Sequence, residues 1–204
     1  TNGIGYVDLM FKTDSIAPEQ IPYLGLLKSV LGYVDTENYT YGELFNEINA
    51  NTGGINCGVE VFDRADSTEE FQAMFSVRGK ALYTKMDFLF KMIGEILNSS
   101  KLEDTKRLYE IVASVKSRAQ VNLTGAGHST AVLRSTAYSS SMAAFQDEMA
   151  GIGYYQFIEK LDREFDDRKE EIIENLKSLM VEILRPENLC ISYTGERESL
   201  DSVQ

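Results

Sequence analysis

The side chains able to support acid–base, nucleophilic or metal chemistry are few. In 204 residues there is one histidine, His128, and two cysteines, Cys57 and Cys190. Zinc sites draw three or four ligands mainly from histidine and cysteine, with occasional carboxylates. A four-cysteine site, a two-cysteine two-histidine site and a catalytic site of two histidines and a glutamate are therefore all out of reach. A cysteine or serine nucleophile would have only His128 as an imidazole base. Each cysteine falls inside an apolar strand pattern and reads as a small buried hydrophobe with a free thiol.

The string GAGHST, residues 125–130, places glycines near a helix start, where backbone N–H groups can face an anion. The phosphate-loop form needs Gly, four residues and then Gly-Lys-Ser/Thr, and here the lysine and the preceding buried strand are missing. The string reads instead as a glycine break, with Ser129 or Thr130 capping the following helix. His128 could act as a base with Arg134 and Glu148 behind it. On an unbroken helix, however, Glu148 lies about 30 Å away, too far to orient the ring. The run EFDDRKEEIIE, residues 164–174, interleaves Arg168 and Lys169 with carboxylates and lacks calcium-loop spacing, so it reads as a solvated helix face. No catalytic, cofactor-binding or metal-binding residue is assigned.

The elements that would position such groups follow from periodicity. Residues 4–12 alternate, with Val7, Leu9 and Phe11 on one face and Ile4, Tyr6 and Asp8 on the other. A helix of about four turns is expected from Glu19, carrying Ile21, Leu24, Leu27, Val30 and Leu31 inward. Thr40 and Glu43 have the spacing of a capping box for a second helix with Leu44, Phe45 and Ile48 on its apolar face, ended by Gly53 and Gly54. Ile55, Cys57, Val59 and Val61, then Phe71, Ala73, Phe75 and Val77, predict an antiparallel hairpin turning at DRADST, residues 63–68. Its polar outer face carries Glu60, Glu70, Gln72 and Arg78.

Two long helices are expected next, one with Met86, Leu89, Phe90, Ile93 and Leu97 inward, the other with Leu108, Ile111, Val112, Val115, Ala119 and Leu123. A segment rich in small residues follows from Gly125 to Gly153, then helices over Tyr154–Phe165 and Asp167–Leu184, stopped by Pro186. The last strand, residues 189–195, presents Leu189, Ile191 and Tyr193 on one face, and a polar, frayed tail follows. The order predicts a single α+β domain over residues 1–204, with a mostly antiparallel sheet and helices packed on one face.

Thirty-two acidic against twenty basic residues give a formal charge of −12. Such a surface repels nucleic-acid phosphates and anionic lipid, so neither nucleic acid nor membrane is expected as a partner. No stretch reaches the roughly 18 apolar residues of a membrane span, and the expectation is a soluble protein. A strand pattern beginning at the fourth residue of a chain that starts with Thr1 points to a segment of something longer.

The strings TNGIGYVDLMFKT, PEQIPYLGLLKSVLG and YTYGELFNEINANTGGI, in this order, and later GHSTAVLRSTAYSSS with EMAG, resemble the presequence protease group, subfamily C of the M16 (pitrilysin and insulinase) superfamily of zinc metallopeptidases. The similarity is to the third domain, at the start of the C-terminal half. It implies four similar αβ domains closing around a chamber where short unfolded peptides are cut. It also implies a zinc ion held in the first domain by an inverted His-x-x-Glu-His motif. Neither that motif nor the Gly-Gly-Ala-Tyr type segment of the fourth domain occurs here, so the resemblance carries over no catalytic residue and no cofactor. It implies a non-catalytic part of the chamber wall, partnered by the other domains and by peptide substrate, in a bacterial cytoplasm or an organelle. A non-enzymatic scaffold or interaction module of the same fold is the alternative.

Overall fold

The computed structural model describes residues 2–64 and 67–197. Four strands, β1 (Ile4–Lys12), β2 (Ile55–Arg64), β3 (Ser67–Leu82) and β4 (Leu189–Thr194), form one antiparallel sheet in the order β2-β3-β1-β4. β3 is the spine. It pairs with β2 along one side from Gly79 opposite Ile55, and with β1 along the other from Leu82 opposite Ile4 to Met74 opposite Lys12. β4 returns from the far end of the chain to cover β1, setting Ile191 opposite Leu9.

Alternation then decides the two faces. Val7, Leu9, Phe11, Ala73, Phe75 and Val77 are buried beneath helices. The helices are α1 (Ile21–Val30), α2 (Tyr41–Asn51), α3 (Met86–Ser99), α4 (Thr105–Gly125), α5 (Gly127–Thr136), α6 (Ser141–Ala150), α7 (Ile152–Arg163) and α8 (Phe165–Ile183). α3 sits on this face so closely that a Cβ on Gly79 would lie 2.6 Å from Leu89. α6 reaches the same face through Phe145, whose ring is 5.4 Å from that of Phe71. The α+β class, the antiparallel sheet and the one-sided helical layer match the sequence expectation.

Local differences have physical causes. The first helix has ten residues rather than about four turns, because Pro18–Gln20 form a 3-10 turn and Gly32, with φ +84°, reverses the chain after Leu31. Phe45, expected on an inner stripe, is 57% exposed while its neighbours Leu44 and Ile48 are buried. Ile191 faces the helical side yet is 58% exposed, because β4 is an edge strand that the helical layer does not cover. The hairpin strands extend to Arg64 and from Ser67, further than DRADST implied, and residues 65 and 66 of that turn lie outside the described residues. The tail expected to fray after residue 195 is described only at residues 196 and 197, where the Glu196 N–H donates to the Tyr83 hydroxyl at 2.9 Å, and residues 198–204 lie outside the described residues.

The capping expectation at GAGHST is corrected. α5 begins at Gly127 behind Ala126, with no side-chain cap. Ser129 and Thr130 are already inside the helix, and Thr130 Oγ1 donates back to the Ala126 carbonyl at 3.1 Å.

Candidate functional site

His128 is the second residue of α5 and is exposed to solvent. The helix behind it does break, at residues 137–140, and turns the chain back on itself. The pair this brings together is Arg134 with Asp147, at 2.6 Å. Cys57 and Cys190 lie on β2 and β4, the two edge strands. Two strands intervene, so at about 4.8 Å per strand they are roughly 14 Å apart, beyond disulfide reach. Burial pushes the Cys57 thiol up to about 12, which keeps it protonated and unreactive. His128, Cys57 and Cys190 thus stand on three separate elements, and among the described residues no three His, Cys, Asp or Glu side chains gather as metal ligands would. These residues do not fit a zinc ion, and no hydrolytic step is routed through them.

The acidic run on α8 is more than a solvated face. Arg168 donates through Nε and Nη2 to both oxygens of Glu171, at 2.9 and 2.7 Å. The Tyr23 hydroxyl on α1 donates to the same carboxylate at 2.7 Å. The Arg168 guanidinium, with help from Tyr23, holds Glu171 down at about 2.

The small-residue block is organised around Asp147, which is 1% exposed. Its Oδ2 accepts from Arg134 Nη1 and from the Gly153 amide, at 2.6 and 3.1 Å, while Oδ1 accepts from the Ile152 amide at 3.0 Å. One carboxylate therefore closes the N-terminus of α7 and ties α5 to α6. Gly151 and Gly153 leave room for it, since a Cβ at either position would strike the Asp147 carboxylate. The GHSTAVLRST…EMAG string is thus a helix junction.

The helix-free face of the sheet holds the polar constellation. The β1–β3 register puts Asp8 opposite Arg78, and the β2–β3 register puts Glu60 opposite Met74, four residues along the same face, from where the two long side chains can meet. Arg78 Nε reaches Asp8 Oδ2 at 2.8 Å and its Nη1 reaches Glu60 Oε1 at 3.0 Å. A recess of about 450 Å³ opens along this row, lined by Tyr6, Asp8, Asn56, Arg78, Lys80 and Ser192, among others. Asp8 Oδ1 is buried there with no hydrogen-bond partner among the described residues. An acceptor so placed costs stability unless a donor arrives. The recess offers donors from Arg78, Lys80, Asn56 and Ser192 and one waiting acceptor, and its lining holds no histidine or cysteine. It can hold an extended, mixed-polarity ligand, and its lining provides no activated nucleophile to cut one.

The sequence placed Asp8, Glu60 and Arg78 on outward faces without joining them. The signal that joins them is the strand register, which period-2 alternation alone does not supply.

The comparisons with known proteins fit this architecture. Protein HypA of Clostridium perfringens is 34% identical over 202 residues, covering 99% of this chain and 21% of that protein. Presequence protease 1, chloroplastic/mitochondrial, of Arabidopsis thaliana is 26% identical over 204 residues, or 100% of this chain and 19% of that protein. The chain spans about a fifth of the length of these relatives. A crystal structure of a conserved protein from Enterococcus faecalis V583 has the same fold, with TM-score 0.62 and 14% identity over 98% of this chain and 46% of that one. The model of the family described as associated with peptidase family M16, subfamily C, matches residues 1–161. With most of its length matched, the chain belongs to this peptidase-associated family of M16 subfamily C.

Proposed function

We propose that this chain is a non-catalytic domain of a zinc metalloendopeptidase of M16 subfamily C that degrades short unfolded peptides, and that its open sheet face forms part of the chamber wall. The observation that carries the reading is the recess beside Arg78, with a buried acceptor on Asp8 that no described residue satisfies. An extended peptide presents backbone N–H groups and basic side chains, the donors that this acceptor lacks. Zinc and the glutamate base would come from another domain of a longer protein, which also provides the remaining walls. Bacterial cytoplasm and an organellar interior both suit such a protein.

The test is steady-state kinetics of a full-length protein containing this domain, with a fluorogenic basic peptide. Asp8→Asn and Arg78→Ala should raise KM about tenfold, the equivalent of one charge-assisted hydrogen bond, and leave kcat nearly unchanged. Unchanged KM in both variants would remove the open face from the chamber. A full-length protein with no chelator-sensitive peptidase activity would favour the scaffold alternative.

A further inference from the structure

The two edges of the sheet are built differently. β2, at one end of the strand order, carries Glu60 and Asp63, and its register with β3 shifts between Asp63 and Arg64. Charges and register breaks of this kind deter a further strand from joining an edge. β4, at the other end, has neither. Its sequence, Leu-Cys-Ile-Ser-Tyr-Thr, contains no charge and no proline, and it runs in unbroken register from Leu189 opposite Phe11 to Thr194 opposite Tyr6. Isoleucine, tyrosine and threonine favour extended backbone. The centre of β4 is open on both faces: Cys190 and Ser192 are exposed on the helix-free side, opposite Met10 and Asp8, and Ile191 is exposed on the other. From Cys190 to Ser192 no strand lies on the outer side of β4 among the described residues.

An uncharged, unbroken edge is a template for any strand that meets it, and proteins that keep one cover it. The backbone fixes the class of occupant, because a row of strand N–H and C=O groups is matched by another extended backbone. A bound peptide, a second copy of the chain or a segment of the same longer polypeptide could supply that backbone. A peptide substrate would leave the edge bare whenever the protein is empty. A second copy sets a formal charge of −12 against another −12, and pairing over the six residues of β4 adds too little to overcome that by itself. A tethered segment meets neither difficulty, since a tether supplies an effective concentration on the order of millimolar. The relatives have the length to provide one, because this chain covers only 21% of Protein HypA and 19% of presequence protease 1.

We propose that a strand from another domain of the longer protein joins the outer edge of β4 and sets an apolar side chain against Ile191, as cross-strand neighbours do. The proposal rests on the reading that this chain is one domain of a longer protein, and its test needs no peptidase activity.

The experiment is hydrogen exchange, read by mass spectrometry, on a full-length protein containing this domain and without substrate. On a bare edge alternate amides of β4 face water, whereas on a covered edge every amide is paired. Peptides spanning residues 189–192 should be protected at every amide, the outward ones exchanging at least about a hundredfold more slowly than in an unstructured chain. Ile191→Lys should restore fast exchange at the outward amides and lower the thermal midpoint, with α1 and β3 still protected. If that variant does not fold, exchange in the unsubstituted protein decides alone. Fast exchange at alternate β4 amides in the full-length protein would overturn the proposal. So would protection that fades on dilution together with a dimer seen by light scattering, because the occupant is then a second copy. Protection that appears only with an added basic peptide would overturn it as well, because the occupant is then substrate. A protein with a protected β4 and no chelator-sensitive peptidase activity would sink the functional reading and leave this one standing.

Discussion

Glu171 and Asp147 show what one carboxylate does when its surroundings are fixed. Glu171 sits near 2 in the folded chain because Arg168 and Tyr23 prefer it ionised. An unpaired glutamate titrates near 4.3. A depressed folded pKa contributes stability that is fully present above the unfolded value and lost as pH falls towards the folded one. Glu171 therefore contributes above about pH 4.5 and loses its contribution between there and about pH 2. Its side chain is 49% exposed, so screening reduces the effect to about 1 kcal/mol. Urea unfolding at pH 6 and pH 3 should show Glu171→Gln destabilised at pH 6, with the difference from wild type closing at pH 3. A pH-independent difference would rule out this linkage. Asp147 is the stronger case, because it is buried with three donors on it. Asp147→Ala strands the Arg134 charge and two amides, and should cost about 3 kcal/mol, read as a lower urea midpoint. Asp147→Asn, which keeps an acceptor, should cost less. Neither role was legible from residue types. Asp147 matters only because the chain turns back at residues 137–140, and Glu171 stood in a run of carboxylates that differ only in what lies across from them on α1 and within α8.

At the scale of elements, what was legible depended on whether the signal was local. The capping box was readable from Thr40 and Glu43 alone, and the structure has both halves: Glu43 N–H donates to Thr40 Oγ1 at 3.3 Å, and Thr40 N–H donates to Glu43 Oε2 at 2.9 Å. Thr40→Ala should lower stability by about 1 kcal/mol, with faster hydrogen exchange confined to the first turn of α2. Loss spread over the whole chain would mean the cap does not act locally. The hairpin and the stripes of α3, α4 and α8 were equally readable, since each hides its apolar side chains against one surface. The far end of β3 was not. Arg78 to Leu82 includes Gly79 and two cations, and those residues are strand because β1 pairs with all five and β2 with Arg78 and Gly79. The α6–α7 join was hidden for a related reason, because Gly151 reads as a break of no particular geometry. Its purpose is space, and Gly151→Ala should drive a Cβ into Asp147 and destabilise the chain by about 1–3 kcal/mol. Measured against Asp147→Ala, the double variant should lose less than the sum of the singles, because the clash disappears with the carboxylate.

For the molecule as a whole, the decisive feature is how the two ends of the chain are used. β1, close to the N-terminus, lies between β3 and β4, and β4 arrives after α8. The family match covers residues 1–161, yet the fold does not close there. α8 buries Ile172, Leu176, Leu179 and Ile183, and it meets α1 through the Tyr23–Glu171 bond. At about 1.5–3 kcal/mol for each buried aliphatic side chain, these four contribute roughly 6–12 kcal/mol of transfer free energy. That is comparable with the stability of ordinary domains, about 5–15 kcal/mol. Removing α8 and β4 would also expose the β1 edge, an unpaired row of backbone donors and acceptors. A chain cut after residue 161 should therefore show no cooperative thermal transition by circular dichroism and should aggregate. A chain cut after residue 197 should unfold in a single transition like the intact one. If the 161-residue chain melted cooperatively, α8 would be an appendage, and the structural unit would coincide with the family match. The fold argues the opposite, because the strand that completes the sheet and the helix that seals the core are among the last elements in the sequence.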